Sequence, residues 1–173
     1  MNLFAIKRIL APTDFSDRAE KAVRYAMAFA KQFGATLCLL HVVPVTPMGG
    51  EFGAMEYPMP LGDMNEASER QLAAFKAKIV RNEVPCELLV RTGHVMSEIV
   101  GAAAELQIDL LVIATHGFTG LKHVLLGSTA ENVIRHAPCP VLTVRELEHD
   151  FVDRKSTRLN SSHIQKSRMP SSA

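Results

Sequence analysis

The chain has 173 residues, 47% of them hydrophobic, with 19 basic and 18 acidic side chains and three cysteines. That is enough apolar material for one domain with a sizeable core, and no stretch approaches the roughly 20 apolar residues of a membrane span. Cys38, Cys86 and Cys139 are odd in number, lie in apolar runs and form no CxxC pair, so they read as small hydrophobes of a reduced compartment and not as zinc or redox ligands.

Residues 6–11 (IKRILA) form a short apolar run closed by Pro12, which predicts a buried strand. Ser16 is placed to cap a helix over 17–33, with Ala22, Tyr25, Ala26, Phe29 and Phe33 as its apolar face and Gly34 at its end. Residues 35–43 (ATLCLLHVV) predict a second buried strand. About twenty residues rich in Pro, Gly and Met follow, 44–63, a length that marks either function or disorder in a compact domain. Met48, Met55, Met59 and Met64 offer an adaptable contact surface under the first reading. An amphipathic segment over 65–81 places Leu72, Phe75, Ile79 and Val80 on one side. A third strand at 86–91, Gly93, a helix over 96–106 and a fourth strand at 109–114 come next. The last helix, 128–136, leads through Pro138 and Pro140 to a fifth strand at 141–145.

From Asp153 the chain turns polar and Ser-rich and loses both periodicities. DRKSTRLNSSH and the closing SRMPSSA resemble the translation of the two ends of a sequencing-library adapter. The expected organisation is therefore a domain over 1–152 and an artefactual, disordered tail over 153–173. Removing the tail's five basic residues and one acidic residue leaves 14 basic and 17 acidic in the body. The body then shows no basic patch, which argues against nucleic acid as a partner. With no membrane segment and no signal-peptide layout before the first strand, a cytoplasmic protein is expected.

Strands and helices alternate, and the strands are nearly continuous apolar runs, so helices are expected on both faces of a parallel, doubly wound α/β sheet. Such sheets bind ligands outside the carboxyl ends of the strands, where strand order reverses. Two strand ends carry unusual chemistry: Ala11, Pro12, Thr13 and Asp14 after the first strand, and Ala114 to Gly127 after the fourth. If those strands are neighbours, both loops line one crevice. Gly127 has no Cβ to hold a ligand away. Ser128 is expected at a helix N-cap with Glu131 three residues on, a capping box. A helix start with unpaired N–H groups is a natural seat for phosphate.

Plainer readings stand beside these. Asp14 followed by Ser16 is also an ordinary helix entry. His116 in the glycine loop is either a phosphate contact or a solvated loop histidine. His41 reads as a satisfied core or rim histidine, and His94 after Gly93 as an extension of the anion site or a loop residue. There is no Walker loop, GxSxG elbow or HExxH, and GFTGLK is not the first-strand GxGxxG of a dinucleotide fold. Asp14 and His116 are the candidate bases, so any hydrolysis of a bound phosphate compound is expected to be slow at most.

KRILAPTDFS, LLHVV and DLLVIATHG…LLGSTAENVIRHAPCPVLTV resemble the universal stress proteins of the adenine-nucleotide-binding type. That family's phosphate motif is Gly-x2-Gly-x9-Gly-Ser/Thr. Gly117, Gly127 and Ser128 fit it, and Ala114 stands where the first glycine is expected. The resemblance implies a sheet order of 3-2-1-4-5. It places Pro12 and Thr13 beside the adenine, Asp14 on the ribose hydroxyls and Val42 against the adenine from the second strand. Gly117, Gly127, Ser128 and the Thr129 amide would hold the phosphates of ATP, with Mg2+ shared among phosphate oxygens. It further implies a homodimer paired through the fifth strand, Val141–Val144, and a role as a stress-response nucleotide sensor or regulator. The alternative is a dimeric, chaperone-like interaction module without nucleotide binding, which Ala114 favours and Gly117, Gly127 and Ser128 oppose.

Overall fold

The strands alternate their side chains between two buried faces, and the helices return the chain to start each strand in the same direction. A computed structural model of the protein describes residues 5–45, 61–115 and 127–145. Its elements are β1 (Arg8–Pro12), α1 (Asp17–Phe33), β2 (Thr36–Pro44), α2 (Leu61–Ile79) and β3 (Cys86–Gly93). They continue with α3 (Val95–Glu105), β4 (Leu110–Ala114), α4 (Ser128–His136) and β5 (Val141–Val144). All strand pairs are parallel, as the alternating pattern predicts, and the order across the sheet is β3-β2-β1-β4-β5, the order that the resemblance implies.

The period of two divides the core. Ile9 and Ala11, Leu37 and Leu39, and Val112 pack with α1 and α2 on one face. Leu10, Cys38, Leu40, Val42, Leu111 and Ile113 pack with α3 and α4 on the other. Covered on both sides, β1, β2 and β4 have almost no polar face to show, which is why they read as nearly unbroken apolar runs.

α1 has the ends its sequence announced. Ser16 lies in extended conformation and its hydroxyl accepts from Ala19 N at 3.2 Å, while Gly34 closes the helix at φ 66°. α2 begins at Leu61, four residues before the expected start, and the strand before it runs to Pro44. Gly62 and Asp63 suggest loop by composition, but Asp63 falls in the first turn, where a carboxylate complements the helix dipole. The Met48, Met55 and Met59 surface lies outside the described residues, as does the 153–173 tail.

The three cysteines are unpaired, with Cys38 buried and Cys86 and Cys139 half-buried. Burial pushes all three thiols up, Cys86 to about 11, so at neutral pH they are protonated packing groups. Among the described residues no helix is long and apolar enough to cross a membrane.

Candidate functional site

The sheet opens where its strand order reverses. β1 pairs with β2 to its last residue, Pro12↔Leu40, but with β4 only through Ile9↔Leu110 and Leu10↔Leu111. β4 meanwhile stays paired with β5 to Ala114↔Val144. Beyond Leu10 and Leu111 the two central strands no longer share a ladder, and their carboxyl ends are the two sides of the switch point, where doubly wound sheets place a ligand crevice. The condition set from sequence, that the first and fourth strands are neighbours where the order reverses, is met by this register.

The first wall is the turn from Pro12 to Ser16. Thr13 is buried, and each of its polar groups is engaged. Its N–H donates to Leu40 O at 2.8 Å, its Oγ1 accepts from Phe15 N at 3.0 Å, and its carbonyl lies 2.9 Å from His41 Nδ1. Asp14 is half-buried, and its Oδ1 accepts from both Ser16 N at 3.1 Å and Ser16 Oγ at 2.6 Å. Asp14 is thus a helix-entry residue as well as a crevice residue. Ser16 passes the connection on to the first turn of α1 through Ala19.

The second wall is the base of the loop that leaves β4. Thr115 is buried, its N–H donates to Val144 O at 3.1 Å, and its carbonyl accepts from Gly127 N at 2.7 Å. The two ends of the loop are therefore pinned to each other and to β5. Gly127 is the N-cap of α4 at φ −70° and ψ 150°, and Ser128 is the first helical residue. The expected capping box is corrected here: Ser128 is one position too far along to cap. Gly127 has no side chain to take that role, and Glu131 pairs with Arg135 one turn on at 2.8 Å. The first helical bond runs from Glu131 N to Gly127 O at 2.9 Å. The N–H groups of Ser128, Thr129 and Ala130 precede it, so they have no partner within the helix. Such a nine-residue helix start, with exposed Ser128 and Thr129, suits an anion.

Of the other site residues named from sequence, Ala11 and Val42 are buried, Ala11 toward α1 and Val42 toward α3 and α4, and Pro12 is half-buried at the end of β1. Ala114 packs its methyl against the core on the α1 side. His116 and Gly117 lie outside the described residues. Among those described, no group of three or more His, Cys, Asp or Glu could hold a metal ion. Two features escaped sequence reading. Phe15 has φ 65°, and its ring lies 4.4 Å from that of His41 and 5.7 Å from that of Phe75. Nothing local in the sequence signals a left-handed phenylalanine. His41 carried one clue, its place near the end of a buried strand where a polar ring needs a partner.

A doubly wound parallel sheet with a helix start and a short turn at its switch point defines an architecture of the α/β class. The profile of the universal stress protein family matches residues 5–145, and the chain belongs to that family. It is 35% identical over 140 residues to a universal stress protein of Methanocaldococcus jannaschii, covering 81% of this chain and 82% of that one. Among solved structures it is similar to the universal stress protein UspA from Lactobacillus plantarum, with a TM-score of 0.67, 26% identity, and coverage of 82% and 99%. It is also similar to the universal stress protein from Archaeoglobus fulgidus solved in complex with dAMP, with a TM-score of 0.57, 26% identity, and coverage of 81% and 98%.

Proposed function

We propose that the protein binds an adenine nucleotide, ATP, in the crevice between β1 and β4. In this reading it acts as a stress-response nucleotide sensor or regulator, a homodimer joined along β5 (Val141–Val144). The observation that carries the reading is the early end of the β1–β4 ladder at Leu10↔Leu111, which sets the Pro12–Asp14 turn opposite the start of α4. The dAMP complex of the relative from Archaeoglobus fulgidus supports an adenine nucleotide as the occupant.

In this arrangement Pro12 and Val42 give the base an apolar wall beside Thr13, and Asp14 accepts from ribose hydroxyls. Ala11, whose side chain packs on the opposite face, contributes only backbone. The N–H groups of Ser128 and Thr129 donate to phosphate oxygens, and Gly117 and His116 are the further residues assigned to the phosphates. Gly127 contributes close approach of its Cα, because its own N–H is engaged by Thr115. Ala114 adds its methyl on the core side, so its departure from the family motif is compatible with binding. Mg2+ would be held by phosphate oxygens and water, since the described residues supply no acidic cluster. β5 is a sheet edge paired on one side only, and an apolar edge is normally covered or paired.

Titration calorimetry of ATP with Mg2+ into the full chain tests the reading, and saturable binding is the expected result. Gly127→Val should abolish it with little loss of fold, because φ −70° is open to any residue while the new side chain meets the phosphates. No binding by folded protein would favour the second reading, a dimeric interaction module without nucleotide. One observation leans that way: Asp14 Oδ1 already serves Ser16.

A further inference from the structure

We propose that His41 is a positioning residue for the crevice, holding the Thr13–Phe15 turn in the shape that presents Asp14. Phe15 sits at φ 65°, a region that a β-carbon disfavours, so its conformation needs support from outside the turn. Support comes from β2 and α2. The His41 ring lies 4.4 Å from the Phe15 ring at an interplanar angle of 34°, and Phe75 of α2 meets the same ring edge-on at 5.7 Å. His41 Nδ1 also lies 2.9 Å from the Thr13 carbonyl. A carbonyl only accepts, so Nδ1 carries the proton and donates. One imidazole thus fixes the turn at two points, a peptide plane by hydrogen bond and an aromatic ring by contact.

The consequence falls on the residue between those points. In a trans peptide the Asp14 N–H is antiparallel to the Thr13 carbonyl, so fixing one directs the other. The Asp14 side chain leaves from that fixed plane and is met two residues on by Ser16 N and Oγ. Without the His41 donor, a buried carbonyl loses its partner and the plane is free to turn. Phe75 extends the same contact to α2, so the shape of the first wall depends on α2 as well as on β2. The effect of His41 on a ligand rests on the nucleotide reading above; its effect on the turn does not.

Two variants separate donor from ring. His41→Phe keeps an aromatic ring against Phe15 and removes the donor, whereas His41→Asn places an amide N–H near the position of Nδ1 and removes the ring. In the ligand-free protein, amide NMR resonances of Thr13, Asp14, Phe15 and Ser16 should move in His41→Phe and return toward the parent's in His41→Asn. The ATP dissociation constant should rise about tenfold in His41→Phe, the scale of one lost hydrogen bond to a peptide carbonyl, with partial recovery in His41→Asn. Unmoved amides in His41→Phe would overturn the proposal, as would ATP binding equal to the parent's. If the parent binds no ATP, the nucleotide reading fails and the amide shifts still decide the role of His41. Should His41→Phe not fold, a scalar coupling between His41 Nδ1 and the Thr13 carbonyl carbon in the parent supports the contact, and its absence sinks it.

Discussion

The two ends of the sheet use their polar groups differently. At the amino end they tie strands to one another. Asp109 Oδ2 accepts from Lys7 N at 2.7 Å and Arg8 N at 2.9 Å, while Asp109 N donates to Arg8 O at 3.0 Å, which clamps β1 to β4. Arg8 Nη2 reaches across β2 to Glu87 Oε2 at 2.5 Å and lies 3.5 Å from Cys38 Sγ. At the carboxyl end the β1–β4 ladder has already stopped, and the bonds of Thr13, Asp14 and Thr115 hold turns and loop bases in place. One end ties the central strands together; at the other their ladder has ended. The division of labour teaches that stability and binding can be changed separately here.

Asp109→Ala should break that division most visibly on the stability side. It leaves two backbone N–H groups without their charged acceptor and should lower unfolding free energy by about 2–3 kcal/mol in urea denaturation. The dissociation constant for ATP in the folded protein should not change. A large loss of affinity would show that the closed end also sets the width of the crevice.

Asp14→Asn makes the opposite change. The amide oxygen can still accept from Ser16, so the entry to α1 survives and stability should move by less than about 0.5 kcal/mol. Loss of the charge should weaken ATP binding by about 1–2 kcal/mol, read by calorimetry. Comparable losses of stability and affinity would mean that Asp14 works mainly as a helix-entry residue.

A smaller effect lies away from both ends. Burial pushes the Glu20 carboxyl up, but hydrogen bonds from Arg24 at 2.7 Å and Lys78 at 3.0 Å outweigh it and hold it below the ordinary range. Because the folded value is the lower one, the carboxylate's contribution is present above the ordinary carboxylate range and is lost as pH falls through the folded value. Glu20→Gln should therefore cost about 0.5 kcal/mol near neutral pH, and the difference should fade in thermal melts as pH falls below the ordinary carboxylate range. A pH-independent difference would assign the loss to packing between α1 and α2.

The elements were legible because their signals are local. β1, β2 and β4 are apolar runs that only a twice-covered strand can satisfy, and Ser16 and Gly34 mark the ends of α1 by their own conformational preferences. The crevice was half legible, since the chemistry of Pro12, Thr13, Asp14, Gly127 and Ser128 stood out at two strand ends. Cap assignment at α4 failed by one residue, because Gly127 and Ser128 are both acceptable at a helix start and the tie from Gly127 N to Thr115 O selects between them. The start of α2 was read late because Gly62 and Asp63 resemble loop residues in isolation.

Local signals along the chain specify the alternation of β and α, the two buried faces and the places where loop chemistry departs from the ordinary. Contacts between distant segments set the rest: the β1–β4 ladder ends at Leu10↔Leu111, Gly127 N is tied to Thr115 O, and left-handed Phe15 packs against His41 and Phe75. The physical reason is range. Periodicity and capping act over a few neighbouring residues, whereas His41 meets Thr13 across 28 positions of chain, through a carbonyl whose direction no side-chain pattern records.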